Sequence, residues 1–263
     1  MDNYIFIVEG AHDVALLGSI LKLLKFKNVR NINNLNEVFK NLIPTSFPFD
    51  EESLNIFNVV PSFYKNNNKS ICIINANGEM NLIEKIDSSL DKIGLNNCKY
   101  LTKVIIFCDA DTEDRETKIE GLMDKSFDDD DEFRFKKENL IQKRILLEGF
   151  NIKIPFDFYV FPDNENPGRI EEVLLEIIKR EDKELLEKTD KFLNSIPDQY
   201  KSKWSDENSQ LDKTRISCVG NIKKPAASMG AIIEKSKWIK KDTVDNCVYL
   251  NGIYMYLKNE LEL

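Results

Sequence analysis

Four times along this chain a short, predominantly apolar run ends in a polar turn and is followed by a helical repeat. The runs are "YIFIVE" from Tyr4, "SICIIN" from Ser70, "KVIIFC" from Lys103 and "FDFYVF" from Phe156. Runs of this length without strict polar alternation are strands covered on both sides, and strands alternating with helices build a largely parallel sheet. The pattern therefore predicts an α/β fold: a mostly parallel sheet with helices on both faces, plus a mainly helical C-terminal part. The helical stretches carry their own signatures. Val14, Leu17, Leu21 and Leu24 form one stripe between about Asp13 and Lys25. Ile170, Val173, Leu174, Ile177 and Ile178 form another.

Residues 1–180 hold these strand–helix units and read as one domain. A segment of about 28–66, rich in Asn, Lys, Phe and Pro, reads as an insertion, with an edge strand at "IFNVVPS" limited by Pro61. Residues 181–263 read as a mainly helical extension packed on that domain, with "SDENSQLDK" as a loop. The 263 residues, 42% hydrophobic and 31% charged, suffice for a normal core and a well-solvated surface. The apolar runs are too short to span a bilayer, and no basic region precedes the first one as it would in a signal peptide. Five cysteines, odd in number and without a CxxC pair, argue against a disulfide framework or a zinc site and fit a reduced cytoplasm. A net charge of −8 disfavours indiscriminate polyanion binding, so a nucleic-acid partner needs a local basic patch or bridging metal ions.

In open α/β sheets chemistry gathers at the carboxyl ends of the strands. Glu9 stands there after the first run, and Asp109 and Asp111 stand there after the third, in "IIFCDADTED". A single acid at a strand end is common, but two at DxD spacing with a third on another strand are a distinct pattern. Crowded carboxylates repel unless a cation lies among them, and magnesium or manganese takes such oxygen ligands. The calcium-loop reading of the same acids fails, because Asp114 occupies the position that needs glycine. The "DDDDE" run, Asp128–Glu132, reads as a solvated loop.

The residues "VEG" at Val8–Gly10, the turn at Gly78 and "DAD" at Asp109–Asp111 resemble the Toprim fold of topoisomerases, bacterial primases, recombination-repair proteins and OLD-type nucleases. More narrowly, "IVEGAHD", "FCDAD", "FPDNENPGRIEEVLL" and "KKPAASMGA" resemble a small family of stand-alone bacterial Toprim-like proteins of the DUF3226 type. The resemblance implies that Glu9 is a general acid/base or metal ligand. It also implies that Asp109 and Asp111 bind magnesium for phosphodiester chemistry. The chain departs from topoisomerases in lacking a second domain with a tyrosine, and from primases in lacking a zinc segment. OLD-type nucleases often travel with an ATPase, which here would be a separate chain, since no GxxxxGK[ST] loop is present.

Further candidates follow. Asp13, four residues after Glu9, is either a ligand or a helix-start acid favoured by the dipole. His12 is the single histidine and reads as incidental. Glu171, in the first turn of a helix after "DNENPGR", is a candidate second-site ligand, with Glu172 as its substitute. From Lys223 to Lys241 there are six lysines and one glutamate, with Trp238 among them. Pro225 and its alanines suggest a helix starting just after Lys223 and Lys224, where N–H and ammonium groups face a phosphate. Lys223 is the first choice for offsetting charge in a transition state, and Lys224, Lys235 and Lys237 are candidates for nucleic-acid contact. The expected function is a magnesium- or manganese-dependent nuclease acting on DNA or RNA, in phage defence or nucleic-acid processing. The alternative is a non-catalytic Toprim-like module that binds a nucleotide or a partner.

Overall fold

A computed structural model describes residues 1–44, 60–124, 134–139, 144–149, 151–201, 204 and 210–263. The strands are β1 Asp2–Val8, β2 Lys27–Asn28, β3 Ser62–Lys65, β4 Lys69–Asn75, β5 Leu101–Asp109, β6 Arg134–Asn139, β7 Arg144–Gly149 and β8 Ile152–Phe161. They form one sheet in the order β2-β3-β4-β1-β5-β8-β7-β6. The fold is α/β, with a mixed sheet. β1 runs parallel to both β4 and β5, pairing Val8 with Asn75 on one side and with Phe107 on the other. β2-β3-β4 and β6-β7-β8 are antiparallel. The antiparallel β6–β7 hairpin was not foreseen, because "RFKKEN" lacks the apolar density of the central runs.

The helices are α1 Ala11–Leu23, α2 Leu82–Ile93, α3 Leu95–Cys98, α4 Arg115–Asp124, α5 Ile170–Glu181 and α6 Lys183–Ser195. The C-terminal ones are α7 Asp198–Lys201, α8 Gln210–Lys223, α9 Met229–Lys235, α10 Lys241–Asn246 and α11 Val248–Glu260. Among the described residues no helix is long and apolar enough to cross a membrane. The expected edge strand begins at Ser62, directly after Pro61, and it lies between β2 and β4; residues 56–59 of "IFNVVPS" lie outside the described residues. Asp128–Glu132 also lies outside them, as do residues 205–209 of the expected "SDENSQLDK" loop, whose remainder from Gln210 is helical.

The chain divides into two compact units. The first comprises Met1–Gly10, Lys25–Cys108 and Glu116–Tyr159. Its core is the central sheet, where the Phe6, Phe107 and Tyr159 rings pack in series, tilted to one another, with centroids 5.2 and 5.8 Å apart. Each fully buried side chain of this size contributes roughly 2 kcal/mol.

The second unit comprises Ala11–Leu24, Asp109–Arg115 and Val160–Leu263. The expected stripe of α5 is buried at all five positions, Ile170, Val173, Leu174, Ile177 and Ile178. α1 is buried from Ala15 through Leu21, wider than the single face its spacing suggested. α8 and α9 approach closely at Gly220, where an added Cβ would stand 2.9 Å from Ile232 Cγ2.

Candidate functional site

Asp109 is the last residue of β5, and its Oδ1 accepts a hydrogen bond from the Ile170 N–H at 2.8 Å. A helix leaves its first N–H groups unpaired, and the preceding residue usually supplies the acceptor. Here that residue is Arg169, whose side chain has no acceptor, so the strand-end acid caps α5 from a distance. Glu172 completes the arrangement by accepting from the Arg169 backbone N–H at 2.7 Å.

Asp111 adopts left-handed backbone, with φ 58°. It exchanges two backbone hydrogen bonds with Gly168, each 2.9 Å. Gly168 has φ 144°, and a Cβ there would lie 2.8 Å from Pro162 Cδ, so glycine is required on both counts. Arg169 then donates from Nε to Asp111 Oδ1 at 2.6 Å. Further bonds brace the same frame. Ala110 N–H donates to the Phe161 carbonyl, and Asn164 Oδ1 accepts from both Arg115 Nε and the Val160 N–H. Asp163 accepts from the Glu165 and Asn166 N–H groups. Burial acts to raise its carboxyl pKa, and these bonds outweigh burial and hold it below the ordinary value. The DxD turn and the "PDNENPGR" loop thus form one rigid frame at the start of α5.

The electrostatics of the frame are acidic. Burial works against the Arg169 guanidinium, but the hydrogen bond and charge of Asp111, with Glu172 and Asp109, hold its pKa above the ordinary value. Glu171 is only 2% exposed, and its Oε2 has no hydrogen-bond partner. Burial pushes its carboxyl up against the pull of Lys213, whose Nζ stands 4.0 Å from Oε1. Burial also pushes the His12 imidazole down, and Lys213 adds to that shift. Asp13 is buried in the first turn of α1, at 4% exposure. Glu9, in the first unit, follows β1, and its carbonyl accepts from the Gly78 N–H at 2.9 Å.

Among the described residues no three His, Cys, Asp or Glu side chains stand together as a ready-made metal group. Magnesium, however, is commonly held by one or two carboxylates, with water and substrate oxygens completing its shell. Asp109 and Asp111 are an all-oxygen donor pair of that kind. The unpartnered Oε2 of Glu171 is a further buried carboxylate oxygen. The donor chemistry fits a hard divalent cation held through carboxylates, and it is not a closed cage.

The lysine-rich segment differs from its expected form. Lys223 is the last residue of α8, where a cation complements the dipole, and does not precede a helix start. Ala226 takes left-handed backbone, and the seven-residue α9 begins only at Met229, capped by Ser228. Lys223 Nζ pairs with Asp182 Oδ2 at 2.6 Å and lies 5.8 Å from the Trp238 ring. The indole N–H of the buried Trp238 donates to the same Asp182 oxygen. Lys223 is therefore bound into a triad with Asp182 and Trp238. Lys224, Lys235 and Lys237 are exposed.

A family model described as a protein of unknown function, DUF3226, matches residues 3–249. The chain belongs to the DUF3226 family. This DUF3226 chain is similar in fold to the crystal structure of hypothetical protein PH0156 from Pyrococcus horikoshii OT3. The two are 17% identical, with a TM-score of 0.50, and the match covers 100% of this chain and 97% of that one. Among curated proteins, none matches the sequence. Two participants in the site were missed in the DUF3226 sequence. In the sequence Arg169 reads as part of a turn; its place after a glycine and immediately before a helix start is the local signal for its contact with Asp111. Lys213 falls in the expected "SDENSQLDK" loop, whereas it lies on α8 and reaches Glu171.

Proposed function

We propose that this protein is a Toprim-type metal-dependent phosphodiesterase acting on DNA or RNA, with magnesium or manganese as cofactor, in phage defence or nucleic-acid processing. The observation that carries this reading is the braced DxD turn at the carboxyl end of β5, a central strand parallel to its neighbour β1. Glu9, which follows β1, enters the reading as the general acid/base on sequence resemblance. Asp109 and Asp111 hold the ion, and Glu171 is the candidate for a second position. A bound divalent cation polarises a phosphate and lowers the pKa of a coordinated water. Lys224, Lys235 and Lys237 supply exposed positive charge for the polymer, and a separate ATPase chain is a candidate partner. The five free cysteines, four of them buried, accord with a cytoplasmic setting.

A second reading has its own support. Asp109 and Asp111 are already bonded by the start of α5, and Lys223 is committed to Asp182. Those contacts favour a non-catalytic Toprim-like module that binds a nucleotide or partner protein. Incubation of plasmid DNA, single-stranded DNA and transfer RNA with magnesium or manganese separates the two, using the unmodified protein and the Asp109→Asn, Asp111→Asn double variant. Cutting that vanishes in the variant supports the nuclease. Calorimetric metal binding without cutting of any polymer moves the weight to the binding module.

A further inference from the structure

The Arg169 guanidinium holds a carboxylate oxygen of the DxD turn that a metal ion at Asp111 would also need. Asp111 is fixed in its left-handed conformation by the two backbone hydrogen bonds it exchanges with Gly168, and those bonds do not involve the guanidinium. The backbone of Arg169 has a separate role, donating to Glu172. Its side chain donates from Nε to Asp111 Oδ1, in a pair whose side chains remain 17% and 37% exposed. Around this one cation stand three carboxylates, Asp111, Glu172 and Asp109. The unpartnered Oε2 of Glu171 belongs to the next residue along the chain. A doubly charged ion at Asp111 would be favoured by these acids and opposed by the guanidinium.

We propose that Arg169 is the resident counter-cation of this turn, and that a divalent cation gains Asp111 by displacing the guanidinium. Arg169 is thus a positioning residue that sets metal affinity. It keeps the acids from repelling one another in the metal-free protein, and its release is part of metal binding. The inference rests on the reading of Asp109 and Asp111 as metal ligands. It differs from a purely structural ion pair in its sign: loss of a structural pair would weaken metal binding or leave it alone, whereas loss of a competitor strengthens it.

Magnesium and manganese titrations by calorimetry test this on the full chain, comparing the unmodified protein with Arg169→Met, Arg169→Lys and Asp111→Asn. Arg169→Met is expected to bind roughly two- to fivefold more tightly, the scale of one partly exposed ion pair. Arg169→Lys, which keeps the charge, should stay near the unmodified protein, and Asp111→Asn should lose binding. A second readout needs no variant. The Arg169 Nε–H resonance, held by Asp111, should shift and exchange faster with water as magnesium is added. Metal binding with unchanged or weaker affinity in Arg169→Met, or an Nε–H signal unmoved at saturating metal, overturns the displacement while leaving the metal site standing. Absence of binding in every protein overturns both together.

Discussion

Asp109 and Ile170 are joined by a 2.8 Å hydrogen bond from the helix N–H to the carboxylate, so the end of the central strand β5 caps the helix α5. The DxD acid therefore has a structural role independent of any metal, and the two roles separate by substitution. Asp109→Ala removes the acceptor and should cost about 1 kcal/mol of unfolding free energy, the usual effect of a lost cap. Asp109→Asn keeps an oxygen for the Ile170 N–H and should unfold close to the unmodified protein, while losing metal binding as fully as the alanine variant. Urea denaturation beside calorimetry checks both. Equal destabilisation by the two variants would deny the cap.

Gly168 makes a stronger prediction. Its φ of 144° and the 2.8 Å approach of a would-be Cβ to Pro162 Cδ leave no room for a side chain. Gly168→Ala should destabilise the protein by about 1–3 kcal/mol, the range for a residue forced into a disfavoured conformation. Because Gly168 holds Asp111 through two backbone bonds, the same variant should weaken magnesium binding without touching a carboxylate. A variant of unaltered stability would mean that the frame is softer than its hydrogen bonds imply.

Much of this architecture was legible in the residues, for physical reasons. The runs at Tyr4, Ser70 and Lys103 have no polar alternation, so they could only be covered strands, and the Ile170 stripe repeats at helical spacing. Asp109 and Asp111 were legible because acids at strand ends are placed by the topology. The helix start expected after Lys223 and Lys224 is absent because Lys223 ends α8, and sequence does not show its partner Asp182, 41 residues away. Arg169 was missed for a related reason. Its link to Asp111 spans 58 residues and depends on the Gly168 bridge, which leaves no local periodicity. The β6–β7 hairpin escaped because the charged β6 run, "RFKKEN", carries little apolar signal.

The Asp182 triad predicts a stability effect with an optical signature. Asp182 Oδ2 accepts from both Lys223 Nζ and the indole of Trp238, which is 1% exposed. Asp182→Ala leaves that buried N–H unpaired and should cost about 1–3 kcal/mol. In a Trp204→Phe background, where Trp238 is the remaining tryptophan, the variant should also shift the emission maximum to longer wavelength as the indole relaxes toward water. Lys223→Met should cost less, because the indole keeps its acceptor. If polymer cleavage exists and Lys223→Met abolishes it with the fold intact, Lys223 has a catalytic role beyond this triad.

Lys213 reaches two groups of opposite sign, and the pH dependence follows from each. Burial raises the Glu171 carboxyl and Lys213 partly counters it, so the folded value lies above the ordinary one. Its stabilising contribution is then fully present below the ordinary glutamate pKa and is lost as pH rises through the raised value. For His12 burial lowers the imidazole and Lys213 lowers it further. That contribution is present above the ordinary histidine pKa and is lost as pH falls through the depressed value. Lys213→Met should therefore move Glu171 further up and His12 back toward its ordinary value without reaching it, since burial remains. The chain has one histidine, so a proton NMR titration of its ring yields a single curve. An upward step in that midpoint, with a steeper loss of stability above the ordinary glutamate range, is the expected outcome. A His12 midpoint identical in both proteins would show that the Lys213 ammonium, 45% exposed, is screened before its field reaches the ring.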